Sequence, residues 1–242
     1  MDLKLKGKKA MVTGTGSQVG FGKGIALFLA QEGCDVICAD IDFEGAQKTA
    51  AEVKALGRKA VPLKVDITQK SETDAAVKKA ITELGYIDIL VNTAGRASGI
   101  KTFIKYNLDD WYIDVDINFR GTMNMLHSML PHMLSRKYGK IVNFSTHAAN
   151  QPTGLSGAGP YCAAKAAVTV LSKTLSGEYG PHGININVIA PGPGNTNFHK
   201  AGDAPQMAGM VENLAKAGKT VTPEEIAWAV GFLVSDISSK IV

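Results

Sequence analysis

The sequence of 242 residues predicts an α/β fold in which helices cover both faces of a doubly wound parallel sheet. Short apolar runs alternate with longer amphipathic segments from the start of the chain to about residue 190. The runs lack the regular polar alternation of a half-exposed strand, which indicates strands buried on both faces. A glycine-rich turn follows the first run, and no linker or internal repeat interrupts the pattern. We therefore predict one domain over residues 1–242.

Each strand is predicted from a short run that is mainly apolar. In chain order, the predicted strands are 9–13, 35–40, 60–65, 88–92, 140–144 and 185–190. Between these runs, apolar residues recur at helical spacing. The helices predicted from that spacing are 21–31, 43–56, 70–84, 108–133 and 161–179.

The stretch 195–220 departs from the alternation, because glycines and a proline interrupt a weak apolar periodicity. Beyond it, Thr222, Pro223 and Glu225 supply a capping hydroxyl, a proline at the first helical position and a glutamate at the third. This pattern predicts a final helix. An excursion of this length is typical of a binding loop or lid, and a loosely packed surface loop is the alternative. We predict a helical lid near 195–220.

Composition and charge exclude several classes of protein. Hydrophobic residues make up 45% of the chain and charged residues 20%, which is typical of a globular protein. The formal net charge is only +4 and the basic residues are scattered, so no nucleic-acid partner is predicted. Neither an export signal nor a membrane span is encoded, because no apolar stretch is long enough.

Three cysteines without paired spacing favour reduced thiols and a cytoplasmic protein. No metal is predicted, because His147 has no second His, Cys or carboxylate at the spacing that a metal site needs.

The segment VTGTGSQVGFGKGIA joins the first predicted strand to the first predicted helix. Its glycines allow positive φ and let a pyrophosphate approach the helix N-terminus, where free N–H groups favour negative charge. The spacing that fits is Gly16, Gly20 and Gly22, and Gly14 competes as the first glycine. A merely tight turn is the alternative.

Asp40 ends the second predicted strand, where a carboxylate can accept hydrogen bonds from both hydroxyls of an adenosine ribose. A 2′-phosphate would be repelled there, and neither Ser17 nor Gln18 offers a cation to hold one. NAD is therefore the predicted cofactor and NADP is disfavoured. An ordinary polar residue at a strand end is the alternative for Asp40.

Several motifs in order resemble those of the short-chain dehydrogenase/reductase family, whose members have a Rossmann fold. They are TGxxxGxG over Thr15–Gly22, NTAG over Asn92–Gly95, the single Asn118, and YxxxK over Tyr161–Lys165. The resemblance covers residues 7–236. It implies an oxidoreductase that transfers a hydride between a nicotinamide cofactor and a small-molecule alcohol or ketone.

The resemblance implies that Tyr161 exchanges a proton with the substrate oxygen and that Lys165 holds the nicotinamide ribose. The two residues stand four positions apart, so they share one helix face, and the lysine cation is expected to lower the pKa of Tyr161. A core tyrosine beside a snorkelling lysine is the alternative. Asn118 matches the asparagine that holds a water in the proton relay, and a solvent-facing asparagine is its alternative.

Thr146 stands where the family has its catalytic serine, and its hydroxyl can make the same hydrogen bond to a carbonyl. Thr146 is therefore the predicted catalytic hydroxyl. A slip of one residue in the strand would give that role to Ser145.

The resemblance implies further contacts with the cofactor. Asp66 matches the acid that hydrogen-bonds the adenine amino group, and a turn-forming aspartate is the alternative. The segment from Pro191 to Thr196 resembles the one that grips the nicotinamide carboxamide. The predicted cofactor-binding residues are Gly14, Gly16, Ser17, Gln18, Gly20, Phe21, Gly22, Asp40, Ile41, Asp66, Ile67, Asn92, Ala94, Gly95, Tyr161, Lys165, Pro191, Gly192 and Thr196.

Besides the threonine at 146, two features depart from the family pattern. The glycine turn is two residues longer than usual, which leaves open which early glycine faces the phosphates. The chain ends at SDISSKIV, where the family continues into a last strand, so we expect that strand to be missing. Such a tail commonly supports the subunit interface. A homo-oligomer, either a tetramer or a dimer, remains the expectation.

Arg96, His147 and Phe198 are the predicted substrate contacts. The first two could meet an acidic group on a substrate or lie on the rim in contact with solvent. The other residues expected around the substrate are Ala97, Asn150, Gly192, His199 and Met207. This composition identifies no particular molecule, and the expectation goes no further than a secondary alcohol and its ketone.

The sequence favours an NAD-dependent alcohol dehydrogenase or ketone reductase. An NADPH-dependent reductase of 3-oxoacyl thioesters is the alternative enzyme, and Asp40 argues against it. A dinucleotide-binding regulatory protein without turnover is the alternative of another class. The presence of both Tyr161 and Lys165 argues against that reading.

Overall fold

A parallel β-sheet forms the centre of the computed structural model, which describes residues 2–150, 155–194, 196 and 205–241, without the side chains of 205–208 and 210. In these residues the strands are β1 (Lys9–Thr13), β2 (Asp35–Asp40), β3 (Ala60–Lys64), β4 (Ile89–Asn92), β5 (Gly139–Phe144) and β6 (Ile184–Ile189). Their order in the sheet is β3-β2-β1-β4-β5-β6, and every neighbouring pair is parallel. The predicted doubly wound sheet is confirmed.

Helices connect the strands and cover both faces of the sheet. They are α1 (Phe21–Gln31), α2 (Phe43–Ala55), α3 (Lys70–Leu84), α4 (Leu108–Val115), α5 (Gly121–Arg136), the short α6 (His147–Asn150), α7 (Gly159–Tyr179), α8 (Pro205–Lys216) and α9 (Pro223–Val234). These bounds agree with the helices predicted from apolar spacing, except between residues 108 and 136.

Two apolar cores lie on opposite faces of the sheet. One core packs α1, α2 and α9 against strand residues that include Val12 and Val91. The other packs α3, α5 and α7 against residues that include Met11 and Leu90. Successive strand residues therefore enter different cores, because side chains alternate across a strand. This burial on both sides explains why the strands are mainly apolar.

The helix predicted over 108–133 is divided by a π-helical segment, Asp116–Arg120, between α4 and α5. A π-helical turn accommodates one residue more than an α-helical turn and is often found at functional sites. Asn118 lies inside this segment and is fully buried. This burial excludes the alternative that Asn118 faces solvent.

The predicted excursion is closed at its base. Gly194 and Val221 form a parallel bridge, and the Val221 N–H donates to the Pro193 carbonyl at 2.9 Å. Helix α8 forms the described part of the excursion, and residues 195 and 197–204 lie outside the described residues.

Helix α9 begins at Pro223, as predicted from its capping residues. The Thr222 hydroxyl accepts from the Glu225 N–H at 3.1 Å, and the Glu225 carboxylate accepts from the Thr222 N–H at 2.8 Å. Each of these two hydrogen bonds satisfies a backbone N–H that has no partner within the helix.

Across the described ranges, no helix combines the length and apolar character needed to cross a membrane.

Gly22 lies where α1 makes its closest approach to the turn after β1. A Cβ at Gly22 would overlap the Gly14 carbonyl and lie 2.8 Å from the Thr93 hydroxyl. We expect Gly22→Ala to lower the free energy of unfolding by about 2 kcal/mol in urea titrations, because backbone must move to make room. Gly177→Ala in α7 is the matched control, since a Cβ there meets nothing within 4 Å. The control should raise the free energy of unfolding by up to about 1 kcal/mol. Equal urea midpoints for Gly22→Ala and Gly177→Ala would contradict the close packing at Gly22.

Candidate active site

A cavity of about 760 Å³ lies along the carboxyl ends of the strands. Its wall contains residues that follow each of the six strands, including Gly14 after β1, Asp66 after β3 and Thr146 after β5. The sheet order reverses between β1 and β4, and ligands of open α/β sheets bind in the crevice at such a switch point.

The turn from β1 to α1 brings bare backbone to one end of the cavity. Gly14 has φ +75°, and a Cβ there would lie 2.8 Å from the Ala94 nitrogen. The Ala94 N–H donates to the Thr13 hydroxyl at 3.3 Å, and the Thr93 hydroxyl donates to the Thr13 carbonyl. The turn is thus held directly against the segment after β4. Gly14 lines the cavity, whereas Gly16 lies behind it.

Gly16 touches Asp40 instead of the cavity. Its N–H donates to the Asp40 carboxylate at 2.7 Å, and a Cβ at Gly16 would lie 2.8 Å from the Asp40 Cγ. The second carboxylate oxygen accepts from the Asp42 N–H at 2.9 Å. Burial raises the pKa of Asp40, and the hydrogen bonds from Gly16 and Asp42 oppose that rise. Asp40 itself lines the cavity with Ile41.

Ser17 and Gln18 have different positions in the turn. The Ser17 hydroxyl lies in the cavity wall, is buried, and has no hydrogen-bond partner among the described residues. The Gln18 amide points away and donates to the carbonyls of Gly16 at 2.8 Å and Gly45 at 3.1 Å. Gln18 therefore connects the turn to α2, and the cavity wall does not include it.

Asn92 also faces away from the cavity. Its amide donates to Asn143 at 2.8 Å, and Asn143 donates to the Ser172 hydroxyl at 2.9 Å, so Asn92 belongs to a buried polar chain that links β4, β5 and α7. Of the predicted cofactor-binding residues, Gly16, Gln18 and Asn92 are thus the three that do not line the cavity. All three predictions followed from position in a motif, and the direction of each residue depends on tertiary contacts.

Asp66 lies in the cavity wall beside Ile67. One carboxylate oxygen accepts from the backbone N–H of Thr68 at 2.9 Å and from its hydroxyl at 2.7 Å. Asp66 therefore forms the turn that was its alternative role, and it also lines the cavity. A carboxylate has acceptor capacity beyond these two bonds.

Tyr161 and Lys165 lie at the other end of the cavity, in the first turns of α7. The Lys165 ammonium is buried and donates to the Phe144 carbonyl at 2.9 Å. Burial lowers the pKa of Lys165 to about 8. At pH 7 the lysine is therefore still mostly charged.

The expectation that the pKa of Tyr161 would be lowered is wrong. Burial raises the pKa of the phenol, and its hydrogen bond with the Thr146 side chain is the largest opposing influence. The lysine cation is not the group that sets this balance. At neutral pH Tyr161 consequently holds its proton.

The two hydroxyls after β5 point in different directions. Thr146 bonds Tyr161, whereas the Ser145 hydroxyl donates to the Lys165 carbonyl at 2.9 Å and accepts from Thr169 at 2.8 Å. Both residues contribute to the cavity wall, but only the Thr146 side chain is linked to the phenol by a described bond. This geometry favours Thr146 over Ser145 as the hydroxyl beside the reacting group.

Asn118 does not line the cavity, and its amide holds the backbone of Arg96. The amide donates to the Arg96 carbonyl at 2.6 Å and to the Asp114 carbonyl at 2.8 Å, and its oxygen accepts from the Arg96 N–H at 3.3 Å. The π-helical segment thus fixes the loop after β4.

Arg96 and His147 both lie in the cavity wall. His147 is exposed, and its backbone N–H donates to the Pro191 carbonyl at 2.9 Å. Phe198 and His199 lie outside the described residues, as does the side chain of Met207. Asn150 is exposed and absent from the described wall, and Ala97 packs in a small apolar cluster with Tyr161.

Sequence reasoning did not predict Leu155 and Val211 as part of the site. Leu155 follows α6, and Val211 comes from α8 in the excursion, yet both line the cavity. Neither carries a motif, because an apolar contact has no sequence signature beyond hydrophobicity. Across the described residues, no group of three or more His, Cys, Asp or Glu side chains could hold a metal ion.

Comparisons with known proteins agree with this arrangement. The family model for short chain dehydrogenases matches residues 8–206. The chain is 34% identical over 239 residues to a cyclohexanol dehydrogenase of Acinetobacter sp. (strain SE19), covering 99% of this chain and 92% of that protein. It is 32% identical over 240 residues to a 3-oxoacyl-(acyl-carrier-protein) reductase of Thermotoga maritima, covering 99% and 95%.

Among solved structures, NAD⁺-bound xylitol dehydrogenase superposes with a TM-score of 0.89 at 26% identity, over 99% of this chain and 96% of that one. The family resemblance seen in the sequence is thereby confirmed. The chain belongs to the short-chain dehydrogenase family of oxidoreductases, which bind a nicotinamide dinucleotide.

Proposed function

We propose that this protein is an NAD-dependent dehydrogenase of secondary alcohols that also reduces the corresponding ketones. The observation that carries the proposal is the buried hydrogen bond between Thr146 and Tyr161, in the wall of a cavity whose other end holds Gly14 and Asp40. A proton donor and a glycine-lined turn thus share one cavity. Its volume of about 760 Å³ is within the range of small-molecule and cofactor sites.

The residues at the glycine end fit a dinucleotide. The buried Ser17 hydroxyl, unpartnered within the described chain, is a donor suited to a phosphate oxygen. Gly14, Gly20 and Gly22 line the cavity beside the N-terminus of α1, where backbone N–H groups favour an anion. Asp40 would hold the adenosine ribose, and Asp66 with Ile67 would line the adenine. When bound, NADH would supply the hydride for reduction and NAD⁺ would accept it in oxidation.

The chain's own groups would manage the proton and the substrate oxygen. Tyr161, protonated at neutral pH, would donate its proton to the ketone oxygen during reduction. In the oxidation direction Tyr161 would first have to lose that proton to solvent, and its phenolate would then take the hydroxyl proton of the alcohol. The Thr146 hydroxyl would orient the same oxygen and stabilise its developing charge. Lys165 would hold the nicotinamide ribose, and Asn118 would order the loop that carries Arg96 and hold a water for the proton relay.

Initial rates on a panel of secondary alcohols, hydroxy acids and 3-hydroxyacyl thioesters, each with NAD⁺ and with NADP⁺, test the proposal. We expect oxidation of at least one alcohol, with NAD⁺ preferred. Turnover of thioesters with NADP⁺ alone would favour the alternative reductase, which the relative in Thermotoga maritima supports. Tight NADH binding without turnover across the panel would favour a regulatory protein.

Replacing Asp40 should weaken the preference for NAD. Asp40→Asn removes the negative charge and keeps an acceptor for the Gly16 N–H, whereas Asp40→Ala removes both. In both variants we expect the ratio of kcat/KM for NAD⁺ to that for NADP⁺ to fall by roughly tenfold or more, since about 1.4 kcal/mol corresponds to a tenfold change. Steady-state kinetics with the best substrate give the ratio. An unchanged ratio in the asparagine variant would remove the basis for preferring NAD.

We further propose that the protein is a cytoplasmic homo-oligomer, either a tetramer or a dimer. The support for assembly is a group of exposed apolar side chains on and before α4, namely Phe103, Ile104, Leu108 and Tyr112. The support for a reducing compartment is that Cys34, Cys38 and Cys162 are all free thiols. Light scattering on the purified protein should give two or four times the chain mass of 25.5 kDa, and a mass of 25.5 kDa would contradict assembly.

A further inference from the structure

The guanidinium of Arg96 lies in the cavity wall, and no hydrogen-bond or ion-pair partner for it is found among the described residues. Its Nε is buried and makes no hydrogen bond, and no described acid lies within ion-pair distance of the guanidinium. A buried donor on a charged group is costly when it has no acceptor. The site therefore keeps a cation whose hydrogen-bonding capacity is unused by the part of the protein that the structure describes.

Asp114 is an acid on which the Arg96 charge acts, since the Arg96 cation opposes the rise that burial causes in the pKa of Asp114, but no described ion pair joins the two side chains. Asp114 is fully buried, and one of its carboxylate oxygens accepts from both the N–H and the hydroxyl of Ser98 at 2.8 Å. This carboxylate keeps the loop after β4 against α4. The other carboxylate oxygen of Asp114 is buried without a described partner, so no hydrogen bond or ion pair among the described residues joins Asp114 to Arg96.

The backbone of Arg96 lies beside the reacting end of the cavity. Asn118 clamps both the N–H and the carbonyl of Arg96, as described above. A Cβ at the preceding residue, Gly95, would lie 3.3 Å from the Lys165 ammonium. Lys165 and Tyr161 share the same face of α7. The backbone from which the Arg96 side chain extends therefore lies next to the reacting groups.

Acidic and basic side chains lie at different ends of the cavity. The carboxylates in the described wall, Asp40, Asp42 and Asp66, follow β2 and β3 at the adenosine end. At the reacting end, the described wall contains Arg96 and Lys165 and no carboxylate. Lys165 already donates to the Phe144 carbonyl, so Arg96 is the cation free to meet a substrate.

We propose that Arg96 receives a carboxylate on the substrate, so that the preferred substrates are hydroxy acids and the matching oxo acids. Arginine binds a carboxylate through two parallel hydrogen bonds, which fix orientation as well as position. The carboxylate would hold the substrate while its hydroxyl or ketone oxygen meets Tyr161 and Thr146. This inference rests on the proposed function and adds the class of substrate.

Reduction of matched acids and esters by NADH tests the inference. The probes are 2-oxobutanoate, 3-oxobutanoate and 4-oxopentanoate, each compared with its methyl ester, which keeps the ketone and removes the charge. We expect the wild type to favour one acid over its ester in kcat/KM. In Arg96→Met this acid-to-ester ratio should fall by roughly tenfold to a hundredfold, and Arg96→Lys should keep part of it.

Arg58→Met is the matched control, because Arg58 pairs with Asp35 at 2.7 Å. Asp35 begins β2, so this pair lies at the amino ends of the strands, away from the cavity. Its acid-to-ester ratio should equal that of the wild type. An equal ratio in Arg96→Met and the wild type would overturn the role of Arg96. An equal fall for acid and ester would do the same, since it would indicate a structural effect.

A binding measurement separates failure of this inference from failure of the proposed function. Calorimetry of each acid and ester with the NAD⁺-saturated protein involves no turnover, because an oxo acid has no hydride to give. We expect at least one acid to bind roughly tenfold tighter than its ester to the wild type, and the difference to vanish in Arg96→Met. If no ketone is reduced but this difference is seen, the proposed function fails and the anion site stands. Equal binding of every acid and its ester would overturn the anion site.

Discussion

Tyr161→Phe is expected to lower kcat/KM for ketone reduction by roughly a thousandfold or more, which is within the range attributed to a positioned general acid. The change removes one oxygen atom and leaves the ring in its cluster with Ala97 and Ala158. The protein should therefore fold normally and bind NADH within about threefold of the wild-type affinity. Stopped-flow or steady-state reduction rates and NADH fluorescence titration measure the two quantities.

Tyr179→Phe is the control for Tyr161→Phe, because it makes the same change at the other end of α7, outside the cavity wall. Its kinetics should match those of the wild type. If Tyr161→Phe keeps kcat/KM within a few fold, another group supplies the proton and the assignment of Tyr161 is wrong.

Thr146→Ala is expected to lower kcat/KM by roughly a hundredfold, as found when one donor to a developing oxyanion is removed. The hydroxyl of Thr146 is the one bonded to Tyr161, so its loss affects both the orientation of the ketone and the pKa of the phenol. Without that bond the pKa of Tyr161 would rise further. Thr146→Ser keeps the hydroxyl and should restore most of the activity.

Ser145→Ala provides the comparison, since its hydroxyl bonds the Lys165 carbonyl and Thr169. We expect this variant to lose about 1 kcal/mol of stability and less than about tenfold in kcat/KM. The reverse ranking of the two variants would assign the catalytic hydroxyl to Ser145.

The architecture was predictable because the side chains of each strand pack into two apolar cores, one on each face of the sheet. Burial on both faces makes the centres of runs such as 89–91 entirely apolar, and the helices between the runs have a different apolar period. The start of α9 was equally readable, because the capping hydroxyl and glutamate act within one turn. Local chemistry of this kind needs no knowledge of the tertiary fold.

The directions in which the site's side chains point, and the pKa of Tyr161, were not predictable from the spacing of residues in the sequence. Gln18 and Asn92 stand in the right motifs, but contacts with Gly45 and Asn143 turn them away from the cavity. The raised pKa of Tyr161 arises from burial, which depends on loops distant in sequence. The π-helical segment around Asn118 adds one residue to a turn, and apolar periodicity cannot resolve a change that small.

The most direct test of the account is transfer of deuterium from the carbinol carbon of labelled secondary alcohols and hydroxy acids to NAD⁺, followed by mass spectrometry of the NADH. We predict that the wild type gives singly deuterated NADH with at least one of these substrates, and that Tyr161→Phe gives almost none in the same time. NADH without the label, or equal labelling by both proteins, would contradict the claim that Tyr161 and a bound nicotinamide act together on one carbinol group.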